Sequence, residues 1–262
     1  MHTAVNCFAK PTESWLVASK RPTVLNEERI NMLATTIGKL ARKLDREFGI
    51  LATLSGEPRP PRGGFDLAGE KLIDWGWICV NLPEGRRRAL EIGCGQSPVL
   101  TAMLAKGYEV TGIDFNPSIA KQVSGFTFVQ GDFNTLNLPP GFDVVVACSV
   151  IEHVGLSGRY GSSEDPTGDL KAMQKIRSLL TPDGVALITV PVGTDVVHRP
   201  WHRVYGARRL PRLLDGFSVV RSRYLVKNPV GPWQETDQHT ALAYPINLRG
   251  YALGEFVLAR GQ

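Results

Sequence analysis

The 262-residue sequence predicts an α/β fold, a mostly parallel sheet with helices on both faces and a helical appendage in front of it. Three observations carry that prediction. From about residue 89 to residue 190, apolar runs of strand length alternate with stretches of helical period. One run, Phe142 to Cys148, is valine-rich and almost wholly apolar, as a central parallel strand is. Another, the first, ends in the glycine turn Glu91-Ile-Gly-Cys-Gly and leads through Ser97 and Pro98 into a helix. Serine suits the N-cap there, and proline the first helical position.

Ile30, Leu33, Ile37, Leu40, Leu44 and Phe48 recur at helical spacing and predict an amphipathic helix over 27–48, packed on the domain or closing over a site as a lid. Residues 55–64, rich in Pro, Gly and Arg, read as a linker. Residues 1–64 therefore form an appendage and residues 65–262 the main domain. A helix over about 66–80 carries Leu67, Leu72, Ile73, Trp75 and Ile78. After the glycine turn come a helix at about 98–106, a strand from Tyr108 to Asp114, and a helix begun by Pro117 behind an Asn116 cap. A strand from Phe126 closes at Gly131-Asp132. The valine-rich strand, a helix over about 168–180, the turn Thr181 to Gly184 and a strand Val185 to Val190 complete the alternation. Beyond Pro191 it weakens. His198 to Tyr205 reads as a loop, Ala207 to Leu214 as a short helix and 217–226 as a strand. A loop of about twenty residues from Lys227 precedes a last strand at about Gly254 to Ala259.

Composition narrows the function classes. The formal charge is +5, and the arginines fall in short groups such as Arg86 to Arg88, with no long basic run. A nucleic-acid partner is not expected. Cys7, Cys79, Cys94 and Cys148 make no CxxC pair, and two of them lie in apolar strand-like runs, which fits a reduced, cytoplasmic protein. No apolar run reaches membrane-spanning length, so no membrane partner is expected either. The oligomeric state stays open, a homo-oligomer included.

What the glycine turn binds is constrained by its surroundings. A helix N-terminus at the carboxyl edge of a parallel sheet presents unpaired N–H groups and partial positive charge. Pro98 stands where the dinucleotide fingerprint needs its third glycine, so that fingerprint fails. There remain Glu91, the two glycines and Asp114, which lies 21 residues after Gly93. A carboxylate so placed can accept hydrogen bonds from both hydroxyls of a ribose.

Five segments in register carry a resemblance: Glu91-Ile-Gly-Cys-Gly, Val110-Thr-Gly-Ile-Asp, Gln130-Gly-Asp, Phe142-Asp-Val-Val-Val and Leu180-Thr-Pro-Asp-Gly-Val-Ala-Leu-Ile. Together they resemble the class I S-adenosylmethionine-dependent methyltransferases over residues 89–190. The stretch from Ser149 to Gly161, with His202-Arg-Val-Tyr-Gly, is similar to a bacterial and plant subgroup associated with glycan or small-metabolite pathways. The resemblance implies a Rossmann-like fold with a mostly parallel seven-stranded sheet and S-adenosylmethionine as cofactor. It also implies roles by position. The backbone at Gly93, Cys94 and Gly95 passes the methionine part, with Glu91 ordering its amino group. Asp114 holds the ribose, and Phe115 lies along the adenine. Asp132 takes the adenine amine, with Phe133 beside it, although Asp132 also suits a turn that bonds its own backbone. Cys148 and Ser149 approach the methionyl amine or the methyl group.

The expected reaction is methyl transfer to a small polar acceptor, a sugar or other metabolite, with a hydroxyl preferred over a nitrogen. A non-catalytic cofactor-binding protein is the rival class. Transfer to a hydroxyl needs in-line placement and the removal of one proton. His153, just after the fourth strand, is the candidate base, and Glu152 its substitute or its orienting partner. Arg159, Tyr160, His198, His202, Arg203 and Tyr205 are candidate acceptor contacts from loops on the same edge, and Arg203 suits a phosphate or carboxylate. A metal is not expected: Pro200 separates His198 from His202, and Asp195 is the one acid near them.

Overall fold

The computed structural model describes residues 70–85, 87–157, 160, 163–227, 232–245 and 252–261, all within the compact unit Pro58–Gln262. The appendage and linker expected over 1–64, and Arg159, lie outside the described residues. Helix α1 (Glu70–Asn81) leads into β1 (Arg88–Ile92), a short 3-10 turn (Cys94–Gln96) and α2 (Pro98–Ala105). Then follow β2 (Glu109–Asp114), β3 (Thr127–Gln130) and β4 (Phe142–Cys148). A 3-10 turn (Ile151–His153), α3 (Gly168–Leu179) and β5 (Leu180–Val192) come next. The last part holds the hairpin β6 (Val196–His198) and β7 (His202–Val204), then α4 (Arg209–Leu213), β8 (Phe217–Lys227), β9 (Trp233–Thr236), α5 (Gln238–Leu242) and β10 (Ala252–Arg260).

The main sheet has eight strands in the order β3-β2-β1-β4-β5-β10-β8-β9. Strands β3, β2, β1, β4 and β5 pair in parallel, while β10 runs antiparallel between β5 and β8. Seven strands match the expectation. The eighth, β9, comes from a stretch read as loop: Gln234 and Glu235 are exposed and Trp233 and Thr236 half-buried, so no apolar alternation marks it as an edge strand.

The core explains why these segments are strands. Along β4, Val144 and Val146 pack with Ile78, Val99, Leu100 and Met103 beneath α1 and α2. The alternate residues Val145 and Ala147 face the other way, with Met173, Ile176, Phe256 and Leu258 on the α3 side. Both faces are covered, so the alternation of side chains sends Val144 to Ala147 all into apolar surroundings.

Local departures have local causes. The helix expected after Pro117 shortens to one 3-10 turn (Ile119–Lys121), with the Asn116 side chain accepting from the Ser118 N–H and hydroxyl. Residues Thr181 to Gly184 bulge out of β5: Leu180 pairs with Phe142, and pairing resumes at Val185 with Val144. The loop expected over His198 to Tyr205 is the turn and second strand of the β6–β7 hairpin. Asp237 caps α5 by accepting from the Thr240 N–H, ordering part of the stretch after Lys227.

Candidate functional site

Strand order reverses between β1 and β4, because the chain leaves β1 toward β2 and β3 and returns on the other side of β1 as β4. The crevice at the carboxyl ends of these two strands is where ligands bind in open α/β sheets. The glycine turn lines it. Gly93 sits at φ 75°, in the left-handed region, and its N–H donates to the Ile113 carbonyl. The Gly95 N–H donates to Asp114 Oδ2 at 2.9 Å, and a Cβ on Gly95 would stand 2.7 Å from that oxygen. A side chain at position 95 would press on the Asp114 carboxylate, and at position 93 the positive φ favours glycine. The other Asp114 oxygen accepts from the Asn116 N–H at 2.8 Å. Each carboxylate oxygen keeps a second lone pair for a ligand hydroxyl. Ser97 caps α2 by accepting from the Val99 N–H.

Glu91 lies on β1 just before the turn. It is 1% exposed, and neither carboxylate oxygen has a hydrogen-bond partner. Burial pushes its carboxyl up to about 8; the Ser97 hydroxyl nearby favours the charged form without meeting hydrogen-bond geometry. A buried acid without a donor is costly, and a cationic ligand group at this edge relieves that cost.

The first turns of α1 bring a second set of acids to the end of β4. Ser149 takes a left-handed backbone, φ 48°, rare outside glycine and concentrated at sites where surroundings hold it. Its N–H donates to the Thr189 carbonyl and hydroxyl oxygens. Its hydroxyl donates to Asp74 Oδ2 at 2.8 Å and lies 3.3 Å from Glu70 Oε1. Lys71 stands 3.8 Å from Glu70 and 3.9 Å from Asp74. Asp74 is fully buried; burial first, then Glu70, pushes its carboxyl up to about 7 against the pull of Lys71 and Ser149.

Sequence reasoning missed Glu70 and Asp74. The helix was expected from its apolar residues alone, yet Leu72 is 72% exposed while Glu70, Asp74, Trp77 and Ile78 are buried. The helical period was legible; the rotation of the helix was not. The detectable signal was two acids four residues apart in line with Trp77 and Ile78.

His153 follows on the 3-10 turn. Its Nδ1 lies 2.5 Å from the Trp201 carbonyl oxygen. A carbonyl only accepts, so Nδ1 carries the proton in the neutral ring and Nε2 is the basic nitrogen. Nε2 stands 3.6 Å from Glu152 Oε1. Glu152 is 3% exposed, its Oε2 has no hydrogen-bond partner, and burial pushes its carboxyl up to about 8. The Tyr160 ring meets His153 edge-on at 5.1 Å, and the rings of His198 and His202, paired across the hairpin, lie 5.1 Å apart. Tyr160 and Trp201 are exposed at the mouth of this cluster.

Several candidates stand elsewhere. Arg203 is 1% exposed: its guanidinium donates to the carbonyls of Glu152, Val154 and Asp165 and stands 3.4 Å from Asp169. It braces the turn that carries His153 and is closed off from solvent. Tyr205 is fully buried, its hydroxyl donating to Asp169 Oδ2 at 3.1 Å. Phe133 is 4% exposed in the core beneath the Lys175 ammonium, 4.9 Å from its ring centre. Asp132 accepts from the Asn134 N–H in a turn of its own. Phe115 is exposed beside Asp114. The Cys94 thiol is buried and pushed up to about 12 by burial, so only its backbone belongs to the turn. Cys148 Sγ accepts from the Thr189 hydroxyl, and burial raises that thiol too. Asp195 accepts from the N–H groups of Gly206, Arg208 and Arg209, a cap for α4. Among the described residues, no three His, Cys, Asp or Glu side chains converge in a way that would hold a metal ion. No helix among them is long and apolar enough to cross a membrane.

Known proteins resemble this chain at both levels. The family model described as "Caenorhabditis protein of unknown function, DUF268" matches residues 99–229, half of the chain. A ubiquinone biosynthesis O-methyltransferase of Xanthomonas campestris pv. campestris is 26% identical over 204 residues, which cover 74% of this chain and 78% of that one. The YqeM protein of Bacillus subtilis, a methyltransferase by provisional name, is 29% identical over 126 residues, covering 44% of this chain and 46% of its own length. Among solved structures, the 1,6-didemethyltoxoflavin-N1-methyltransferase of Burkholderia thailandensis, with its substrate and S-adenosylhomocysteine bound, aligns at TM-score 0.53 and 17% identity, over 86% of this chain and 90% of that one. The N-methyltransferase NodS of Bradyrhizobium japonicum, with S-adenosylhomocysteine, aligns at 0.50 and 19%, over 75% and 90%. At these identities the structural likeness establishes the fold.

Proposed function

For a chain that belongs to the family described as "Caenorhabditis protein of unknown function, DUF268" and has the class I methyltransferase fold, we propose S-adenosylmethionine-dependent methyl transfer to a hydroxyl of a small polar acceptor. The observation that carries this reading is Glu91. A buried acid with no donor, beside a glycine turn whose Gly95 N–H donates to Asp114, suits a ligand bearing both an ammonium and a ribose. The O-methyltransferase name of the Xanthomonas relative supports oxygen as the receiving atom.

The residues present fit the cofactor. Glu91 would order its ammonium, the backbone of Gly93 to Gly95 would lie along its methionine part, and Asp114 would hold its ribose. Phe115 and Asp132 edge the adenine side. When bound, the cofactor supplies a methyl on a sulfonium, already a good electrophile. The protein's part is placement and the fate of one proton. His153 takes that proton on Nε2, because the Trp201 carbonyl fixes the hydrogen on Nδ1. Glu152, with Oε1 3.6 Å from Nε2, orients the ring. Arg203 holds the carbonyl of Glu152 and so fixes the turn. Tyr160, Trp201, His198 and His202 offer ring surface to the acceptor. No metal takes part: Asp195, the acid near the histidine pair, is engaged by three backbone N–H groups.

Calorimetric titration with S-adenosylhomocysteine tests the reading. The wild-type chain should bind one equivalent, and Asp114→Ala should weaken binding at least about tenfold. No heat with either S-adenosylhomocysteine or S-adenosylmethionine would remove the proposal.

A further inference from the structure

The loop that follows β3, Gly131 to Leu136, lies beside the acid read as the ribose contact. Asp114 pairs with Gln130 across β2 and β3, and the Gly131 N–H donates to the Asp114 carbonyl. The Gln130 side chain donates to the Phe115 carbonyl at 2.9 Å. Asp132 stands in this loop. Its Oδ1 accepts from the Asn134 N–H, and its carbonyl accepts from the Thr135 and Leu136 N–H groups. Among the described residues its Oδ2 accepts no hydrogen bond, which leaves one carboxylate oxygen for a donor on a ligand. An adenine presents such a donor in its exocyclic amine.

The loop belongs to no strand or helix, and α3 holds it. Lys175 donates to the carbonyls of Phe133 and Leu136, and its ammonium stands 4.9 Å from the centre of the Phe133 ring. The Asn134 amide donates to the Gly168 carbonyl at 2.9 Å, at the start of the same helix. Burial lowers the pKa of Lys175, and the nearby Asp132 charge raises it. Lys175 therefore grips the loop on both sides of Asn134, directly after Asp132, while making none of the cofactor contacts proposed above.

We infer that Lys175 is a positioning residue for the adenine end of the cofactor: it fixes the loop so that Asp132 meets the exocyclic amine. The proposal rests on the methyl-transfer reading, which puts the adenine beside Phe115 and Asp132, and it adds the residue that makes this end selective for an aminopurine. A loop already ordered when the ligand arrives avoids the entropy loss of being fixed on binding.

The test is competition calorimetry with S-adenosylhomocysteine and S-inosylhomocysteine, which carries a carbonyl where adenine carries the amine. The wild type should bind the adenosyl compound at least about tenfold more tightly, because a carboxylate accepts from the amine and repels the carbonyl oxygen. Lys175→Met keeps the apolar stem and removes the donors. It should lower that preference at least about threefold, with S-inosylhomocysteine affinity staying within about twofold of wild type. In an Asp132→Ala chain, adding Lys175→Met should change S-adenosylhomocysteine affinity by no more than about twofold, since the lysine acts through Asp132. A wild type without the preference, a preference that Lys175→Met leaves intact, equal weakening of both ligands, or an undiminished lysine effect in the Asp132→Ala chain would overturn the inference. Failure of the wild type to bind S-adenosylhomocysteine is a separate result that removes the underlying reading. Should Lys175→Met not fold, Asn134→Ala, which releases the tie to Gly168, takes its place in the same comparisons with the same deciding outcomes.

Discussion

His153, on the 3-10 turn after β4, and Arg203, on β7, show how differently two basic residues are used. The imidazole has a fixed tautomer and one nitrogen directed toward Glu152, whereas the guanidinium is closed in by three carbonyls and Asp169. His153→Ala should therefore keep S-adenosylhomocysteine affinity and lower kcat by about two to four orders of magnitude on an identified acceptor. Unchanged turnover would remove His153 as the base. Arg203→Leu should act on stability, because it leaves Asp169 and several carbonyls buried without a donor; about 3–5 kcal/mol is expected from denaturant unfolding. A variant of wild-type stability that loses acceptor binding would restore Arg203 as a substrate contact. The sequence placed both residues on the right edge of the sheet. It could not tell them apart, since exposure is decided by long-range packing against Val154 and Asp165.

At the level of elements, the parallel half of the sheet and its glycine turn were legible because each rests on local rules: apolar runs, a Ser-Pro helix start, acids at strand ends. The rotation of α1 was not, because tertiary packing turned Glu70 and Asp74 inward and left Leu72 in solvent. The β6–β7 hairpin and β9 were missed for want of alternation in three- and four-residue strands. Asp195 ties the hairpin to α4 through three backbone N–H groups. Asp195→Ala should lower stability by about 1–2 kcal/mol in chemical denaturation, as loss of a strong cap does. No measurable change would mean that other contacts hold this junction.

For the whole molecule, the buried acids predict an unusual pH dependence of stability. Glu91 and Glu152 are raised to about 8 and Asp74 to about 7 in the folded chain. An acid whose folded pKa exceeds its unfolded value takes up a proton on folding. Its contribution is complete below the unfolded value, near 4, and is lost as pH rises through the folded value. The Tm of the ligand-free protein should therefore fall from about pH 6 to about pH 8.5, and Glu91→Gln should flatten part of that slope. A Tm that rises over this interval would contradict the assignment of buried, protonated acids.

One crevice, between the glycine turn of β1 and the end of β4, takes the cofactor in the proposed reaction and presents it to His153. A crystal structure with S-adenosylhomocysteine bound tests it most directly. The ribose should lie on Asp114, the amino group beside Glu91, and the sulfur toward His153. Product bound outside this crevice, or with its sulfur turned away from His153, would contradict it.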